Sequence, residues 1–580
     1  MRGRCMVENG IAFTLGSCLC FMAFVGWVSY RRTRGEVATK EGYFLAGRGL
    51  TGPVIAGSLL LTNLSAEQLI GLNGSAYGFN MTAMAWEVTA GAAIIVMALV
   101  FLPRYLNGAF STLPQFLEDR FDAGVRRLTV VLFLLGYALV TIPSILYSGA
   151  LAVMKLFDVQ TLTGLSFSAS LVLTILTIGV VGGLYAVFGG LRAVAISDTL
   201  NDVGLLCVGA LVPIAGLAML GDGRVVEGWR IVASVDVEKL NAIGSATDPV
   251  PFGTLFTGMI LANLFYWGTN QYVIQRTLGA ASLAEGQKGV LLSGFFKLLV
   301  PFFMMLPGVI AFHLYGDGLA HMDLAYPTLV ADVLPAYLGG LFLAVLLGAV
   351  FSSFNSLVNS AATLFCLDIY QPLSRRHVSD LELIRVGKGI SVLVAVLSFA
   401  AAPFLQYAPD GLWQVIRVFT GFYNVPVIAL VLVAMFFPGV PPNAAKTAVC
   451  FHVIAYACTQ FVFTVTLNFV HVYAILFALE MAIMLGWRAF SSGNHTSGAR
   501  SEARRALVDM TPWRHAGGVA VVLASAIVAV YLFFSPIGVV GGFTASFWLA
   551  LLGVIGTASL GVVYSDRLWR ARHQSRNAAR

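Results

Sequence analysis

The sequence predicts an all-α polytopic membrane protein, and three observations carry that prediction. Of 580 residues, 58% are hydrophobic and 11% are charged, against roughly 25% charged in soluble domains. Apolar runs of about 20 residues, the length that crosses a bilayer as a helix, recur along the whole chain. Lys and Arg crowd alternate loops between these runs. A net charge of +7 would suggest nucleic acid in a soluble protein; carried by loops, it reports orientation instead. The cysteines (Cys5, Cys18, Cys20, Cys207, Cys366, Cys450 and Cys458) are scattered, with no CxxC or His/Cys ligand spacing. Neither a disulfide framework nor a metal centre of that kind is indicated.

About fifteen candidate spans follow in order: 10–30, 53–75, 81–102, 128–153, 165–187, 193–220, 252–275, 289–314, 335–368, 384–403, 411–437, 447–465, 469–487, 516–535 and 543–564. The first lacks a small-residue cleavage site and is followed by Arg31-Arg32-Thr33-Arg34. It therefore reads as a retained span and not as a signal peptide. With the N-terminus outside, most Lys and Arg fall on inner loops and on the tail Arg567 to Arg580. The outer side keeps Arg2, Arg4, Lys155, Arg224, Arg230 and Lys239, and Lys297, Lys388 and Arg417 lie within spans. The asymmetry places the N-terminus outside and the C-terminus in the cytoplasm. In the inner loop 103–127, Thr112 with Pro114 in the first turn predicts a short surface helix.

Two spans carry polar residues at bilayer depth. Thr62, Asn63, Ser65, Glu67 and Gln68 interrupt span 53–75, and Asn263 to Gln271 interrupt span 252–275. Five spans separate the two starts, so the interrupted spans run in opposite directions. That is the pattern of an inverted repeat whose discontinuous first helices meet at the midplane. The organisation is then 1–52, an extra helix and inner loop; 53–220, the first repeat; 221–250, an outer loop; 251–437, the second repeat; and 438–580, accessory helices with a basic tail.

Depth along each span brings further polar residues to the same level. Asn263 lies about 11 residues into its span, Lys297 about 8 from the inner side and Glu87 about 6 from the outer side. With Glu67 and Gln68 they offer amides, carboxylates and an ammonium to one cavity, a set suited to a polyhydroxylated ligand. The plainer reading pairs Glu67 and Glu87 with Lys297 as structural ion pairs and makes Asn263 a cap. Arg417 either snorkels outward or lines the cavity. Deeper toward the inside, Ser352 and Ser353 lie at the level of Asp198; serine hydroxyls with free carbonyls suit Na⁺, although such hydroxyls commonly bond back to their own helix.

These residues resemble a family. Asn63-Leu-Ser-Ala-Glu-Gln68, Gly189-Gly-Leu-Arg-Ala-Val194 with Ser197-Asp198, Asn263-Leu-Phe-Tyr-Trp-Gly268, Gln275-Arg-Thr-Leu278, Gln287-Lys-Gly289 with Lys297, and Ser352-Ser353 to Asp368-Ile-Tyr370 are similar to the blocks of the sodium:solute symporters, on the branch of the bacterial sodium/galactose symporter. The likeness covers roughly 40–480. Tyr423-Asn-Val-Pro426 and the extra last helix look most like an enterobacterial-type, sugar-like subgroup.

The resemblance implies a LeuT-like fold, alternating access, sodium as coupling ion, no organic cofactor, and a bacterial inner-membrane protein. It implies solute contacts from Asn63, Ser65, Glu67, Gln68, Glu87, Asn263, Lys297 and the position of Arg417, with Tyr266 as an aromatic inner gate. Sodium would be held by the carbonyls of Leu61, Leu64 and Ala349 and the hydroxyls of Ser352 and Ser353. Asp198 and Ser356 correspond to a second sodium, against which Asn355 weighs where a further serine is needed. Arg417 stands where the family has a substrate glutamine, Ala90 replaces a serine and Trp86 a tyrosine. The expected function is sodium-driven import of a sugar or sugar derivative. The alternatives are an amino acid, a carboxylate such as sialic acid or an inorganic anion on the same fold and, more remotely, a membrane sensor or channel. The partners expected are a small sugar-like solute, sodium and the lipid bilayer, not nucleic acid, and the protein is not expected to be an enzyme.

Overall fold

The computed structural model describes residues 48–63, 65–108, 110–157, 159–319, 321–374, 378–407, 411–463, 465–490 and 507–578, with a few isolated positions between 16 and 31. The candidate span 10–30 and residues 491–506 of the long inner loop fall almost wholly outside these.

Among the described residues every named element is helical. Nine helices among the described residues are long and apolar enough to cross a membrane, and two bent pairs raise this to as many as eleven. Their outer faces stay apolar because hydrocarbon, not water, is the solvent there. The last of them, Ala545–Ala571, buries only 6% of its apolar window within the protein.

The expected interruptions are real breaks. The first interrupted span divides into α1 (Gly52–Asn63) and α2 (Ala66–Gly78), with Ser65 extended at the junction (φ −87°, ψ 167°). The carbonyls in the last turn of α1 therefore have no helical N–H to accept from. After α3 (Phe167–Leu220), the second interrupted span divides into α4 (Gly258–Gly268) and α5 (Gln271–Leu278), joined through Thr269 and Asn270. Neighbours satisfy this second break. The Tyr105 hydroxyl donates to Gly268 O at 2.9 Å, and the Tyr137 hydroxyl donates to Asn270 Oδ1 at 2.7 Å. Broken backbone at membrane depth needs such partners.

Next come α6 (Leu283–Lys297), α7 (Ala336–Leu364) and α8 (Gly411–Phe436). α1 packs on α3, α6 and α7, while α4 packs on α8 and on Ala90–Val96. The apolar core runs through all of these contacts.

Three expectations change. The separate spans 165–187 and 193–220 form one continuous helical run, α3, of 54 residues. Gly189-Gly190 is only a weak breaker, about 1 kcal/mol per glycine, and no proline stands between the two expected spans. The span expected at 289–314 bends by 47° after Lys297. Pro301 and Pro307 lie in the first turns of the two short helices beyond the bend, where a missing N–H is tolerated. The short helix after Thr112 forms at Leu113–Arg120, with Gln115 N–H donating to Thr112 Oγ1 at 3.3 Å. It is not simply a surface helix, because Leu113, Pro114, Phe116 and Leu117 are buried.

Candidate functional site: a polar cavity between the broken helices

A cavity opens where the two breaks face each other. It encloses about 670 Å³ of atom-free space, its mouth included, and is lined by α1, α2, α4, α5, α6 and α8 together with the segment around Trp86 and Glu87.

Of the residues expected to contact solute, Asn63, Glu67, Gln68, Glu87, Asn263, Lys297 and Arg417 all line it, as does Tyr266. Ser65 does not; it is buried at the start of α2, and its hydroxyl caps no N–H there.

The wall is ordered by two kinds of contact. Lys297 Nζ forms an ion pair with Glu87 Oε2, and both side chains are almost wholly buried. Gln68 Nε2 donates to Glu87 Oε1 at 2.9 Å, so the carboxylate is held from both sides. Lys297 also lies 5.6 Å from the centre of the Trp267 ring. Asn263 Nδ2 donates to Thr89 Oγ1 at 2.8 Å, which leaves its carbonyl oxygen unassigned. A row of aromatic rings closes one side. The Tyr272 hydroxyl donates to the Tyr266 hydroxyl at 2.8 Å, and the Tyr266–Tyr272 and Tyr272–Tyr137 pairs meet edge to face at 5.8 and 5.7 Å. Such pairs add about 0.5–1.5 kcal/mol beyond area burial.

Other atoms on this wall have no such partner. Asn63 Oδ1, Glu67 Oε2, Gln68 Oε1, Asn424 Oδ1 and Arg417 Nε are buried without a hydrogen bond among the described residues. A buried polar atom left unpaired costs about 1–3 kcal/mol. Several of them on one cavity wall are the signature of a site that a polar ligand completes.

Sequence reasoning missed Thr141, Asn270, Tyr272, Thr420 and Asn424 as lining residues. Asn270 and Tyr423-Asn424 stood in stretches singled out for other reasons. Thr141 is one hydroxyl in an apolar run and gave no signal.

The residues expected to bind sodium fall on α1, α7 and the junction after α1. Ala349, Ser352 and Ser353 are buried on α7, which packs on α1. Ser352 Oγ has no hydrogen-bond partner among the described residues, which fits a hard oxygen ligand awaiting a cation. Leu61 belongs to the last turn of α1, where carbonyls are freed; Leu64 lies outside the described residues. Ser356 Oγ donates to Ser352 O at 2.6 Å and accepts from Arg276 Nη2. Asp198 lies on α3 in the stretch whose side chains are not described.

A polar cavity between two broken helices of a multi-pass membrane protein is where transporters of this architecture hold their solute. Comparison with known proteins gives the class a family. The model of the Sodium:solute symporter family matches residues 43–449. The chain is 41% identical to the uncharacterized symporter YidK of Escherichia coli (strain K12), over 97% of this chain and 96% of that one. It is 31% identical to a sodium/glucose cotransporter of Vibrio parahaemolyticus, over 74% and 82%, and 32% identical to the human sodium/myo-inositol cotransporter, over 73% and 62%. Among solved structures, a Na⁺-coupled sialic acid symporter in a substrate-bound outward-open state superposes with a TM-score of 0.70 at 20% identity, covering 82% of this chain and 98% of that one. The protein belongs to the sodium:solute symporter family, and its coupling ion is sodium.

Proposed function

We propose that this symporter imports a sugar or sugar derivative across the bacterial inner membrane by alternating access, with its N-terminus outside and its C-terminus in the cytoplasm. The observation that carries the reading is the cavity wall, where amide and carboxylate oxygens on α1, α2 and α8 await hydrogen-bond donors. A polyol is rich in such donors. A wall built to receive them rejects analogues that lack them. The sugar and polyol cotransporters among the relatives support the same choice.

Asn63, Glu67, Gln68, Glu87, Asn263 and Lys297 contact or frame the solute, and Tyr266 closes the path beneath it. Sodium is held by the carbonyls of Leu61, Leu64 and Ala349 and by the hydroxyls of Ser352 and Ser353. It thereby ties the end of α1 to α7. Because α1 also presents Asn63 to the solute, ion and solute share one broken helix, and coupling resides there. Departure of the ion releases α1 and opens the inner path.

Substitution of the two serines tests this. Ser352→Ala and Ser353→Ala each abolish sodium-stimulated uptake while the protein still inserts and purifies. Undiminished sodium dependence in both variants would remove the ion site from α7.

A further inference from the structure

The geometry points to a finer assignment that rests on the sugar reading: the solute is an acidic sugar, and the guanidinium of Arg417 receives its carboxylate or sulfate.

Arg417, partly buried, differs from the fully buried cations. Lys297 is paired with Glu87. Arg126 is held by Glu118, Asp368 and the carbonyl of Leu367. Arg276 donates to Ser58, Tyr272 O and Ser356. The Arg417 side chain makes no hydrogen bond or ion pair among the described residues, and its Nε is buried. It is nevertheless held in place. Its guanidinium carbon lies 4.0 Å from the centre of the Trp413 ring and 4.6 Å from that of Trp86. Trp413 is one helical turn away on α8 and is itself seated against Gly71 of α2. The Arg417 carbonyl accepts the Tyr473 hydroxyl at 2.6 Å. Stacking occupies the face of a guanidinium and leaves its in-plane N–H groups for an anion.

The charges and hydrogen-bonding capacity of the cavity then define the ligand. Its lining holds the carboxylates Glu67 and Glu87 and the cations Lys297 and Arg417. Glu87 and Lys297 neutralise each other. Glu67 Oε2 is without a hydrogen-bond partner among the described residues; Glu67 acts electrostatically on Arg417, but no direct ion pair joins the two among the described residues. The unpartnered atoms are four acceptors, Asn63 Oδ1, Glu67 Oε2, Gln68 Oε1 and Asn424 Oδ1, and one charged donor, Arg417 Nε. A ligand that satisfies all of them carries several hydroxyl donors and one anionic group. A neutral sugar leaves the in-plane N–H groups of the guanidinium without an anionic acceptor, and a simple inorganic anion leaves the acceptors unmet.

The experiment is a sodium-dependent thermal-shift titration of the purified full chain. It compares D-glucose, D-galactose, D-glucuronate, D-galacturonate, glucose 6-sulfate and proline against the wild type, Arg417→Gln and Arg417→Lys. In the wild type at least one acidic sugar binds tenfold or more tighter than its neutral counterpart. Arg417→Gln removes that ratio while sodium alone still stabilises the variant, and Arg417→Lys retains part of it. An acidic-to-neutral ratio unchanged in Arg417→Gln, or a wild type that prefers neutral sugars, overturns the acidic assignment and leaves the sugar reading intact. Proline binding in place of every sugar, or no sodium-dependent shift with any sugar, overturns both.

Discussion

Glu87 and Lys297 are the residues on which the cavity wall rests. The pair is buried, and Gln68 holds the second carboxylate oxygen. Removing one member of a buried ion pair leaves the other charge uncompensated and costs about 3–5 kcal/mol, whereas replacing both is often neutral. Glu87→Gln and Lys297→Met are therefore each expected to lower thermal stability markedly, and the double variant to recover much of the loss. Strictly additive losses in thermal unfolding would show that the two charges are not coupled. The single variants should also lose solute binding, because Glu87 fixes the orientation of Gln68. The same reasoning separates Ser352 from Ser356: the first hydroxyl is unpartnered and suited to an ion, while the second is committed to Ser352 O and Arg276.

At the scale of the element, the half-helices do the positioning. α5 is fastened to the scaffold by three side chains in succession. Gln271 Oε1 accepts from Leu113 N–H at 2.9 Å, Gln275 joins Thr363 and Ser360, and Arg276 reaches Ser58 and Ser356. Hydrogen bonds to a charged group contribute about 1.5–3 kcal/mol each. Arg276→Ala is accordingly expected to speed amide hydrogen exchange across Gln271–Leu278 by tenfold or more, with the C-terminal helix Ala545–Ala578 unchanged. Equal exchange in the variant would mean that α5 is held by apolar packing alone. Both breaks were legible in the sequence because Asn63, Glu67 and Gln68, and Asn263 to Gln271, are costly at bilayer depth unless the helix opens onto a cavity. The continuity of α3 was not legible, since a Gly-Gly pair beside one arginine reads equally as a loop and as a helix. Nor was the Tyr137–Tyr272 contact, which joins residues far apart in sequence and has no local signature. Thr141 was hidden for a related reason: its hydroxyl bonds back to Gly136 O and meets Tyr423, and a threonine in an apolar run ordinarily does the first alone.

For the whole molecule, the proposed tie of one sodium to one broken helix makes the transported charge depend on the solute: one net charge moves with a neutral sugar and none with a singly charged acidic sugar. With a neutral sugar, a single charge moving inward across 100 mV supplies about 2.3 kcal/mol, roughly a 50-fold accumulation before any sodium gradient is added; with an acidic sugar the sodium gradient alone drives accumulation. The accessory helices beyond α8 stand outside this cycle in our account. His452 and Glu480 lie buried against each other between two of them, and His452 Nε2 bonds to Gly421 O of α8 at 3.1 Å, so they brace α8 from behind without entering the cavity. The central claim, sodium-driven uptake of a sugar-like solute, is tested most directly in proteoliposomes. The measurement is accumulation of labelled D-galactose, D-glucose, myo-inositol and D-glucuronate under an inward sodium gradient with the interior held negative. The account predicts saturable uptake of at least one of them above equilibrium, abolished when choline replaces sodium, with the potential adding to uptake of a neutral solute and not of D-glucuronate. Uptake that only reaches equilibrium, or that is equal in choline, would contradict it.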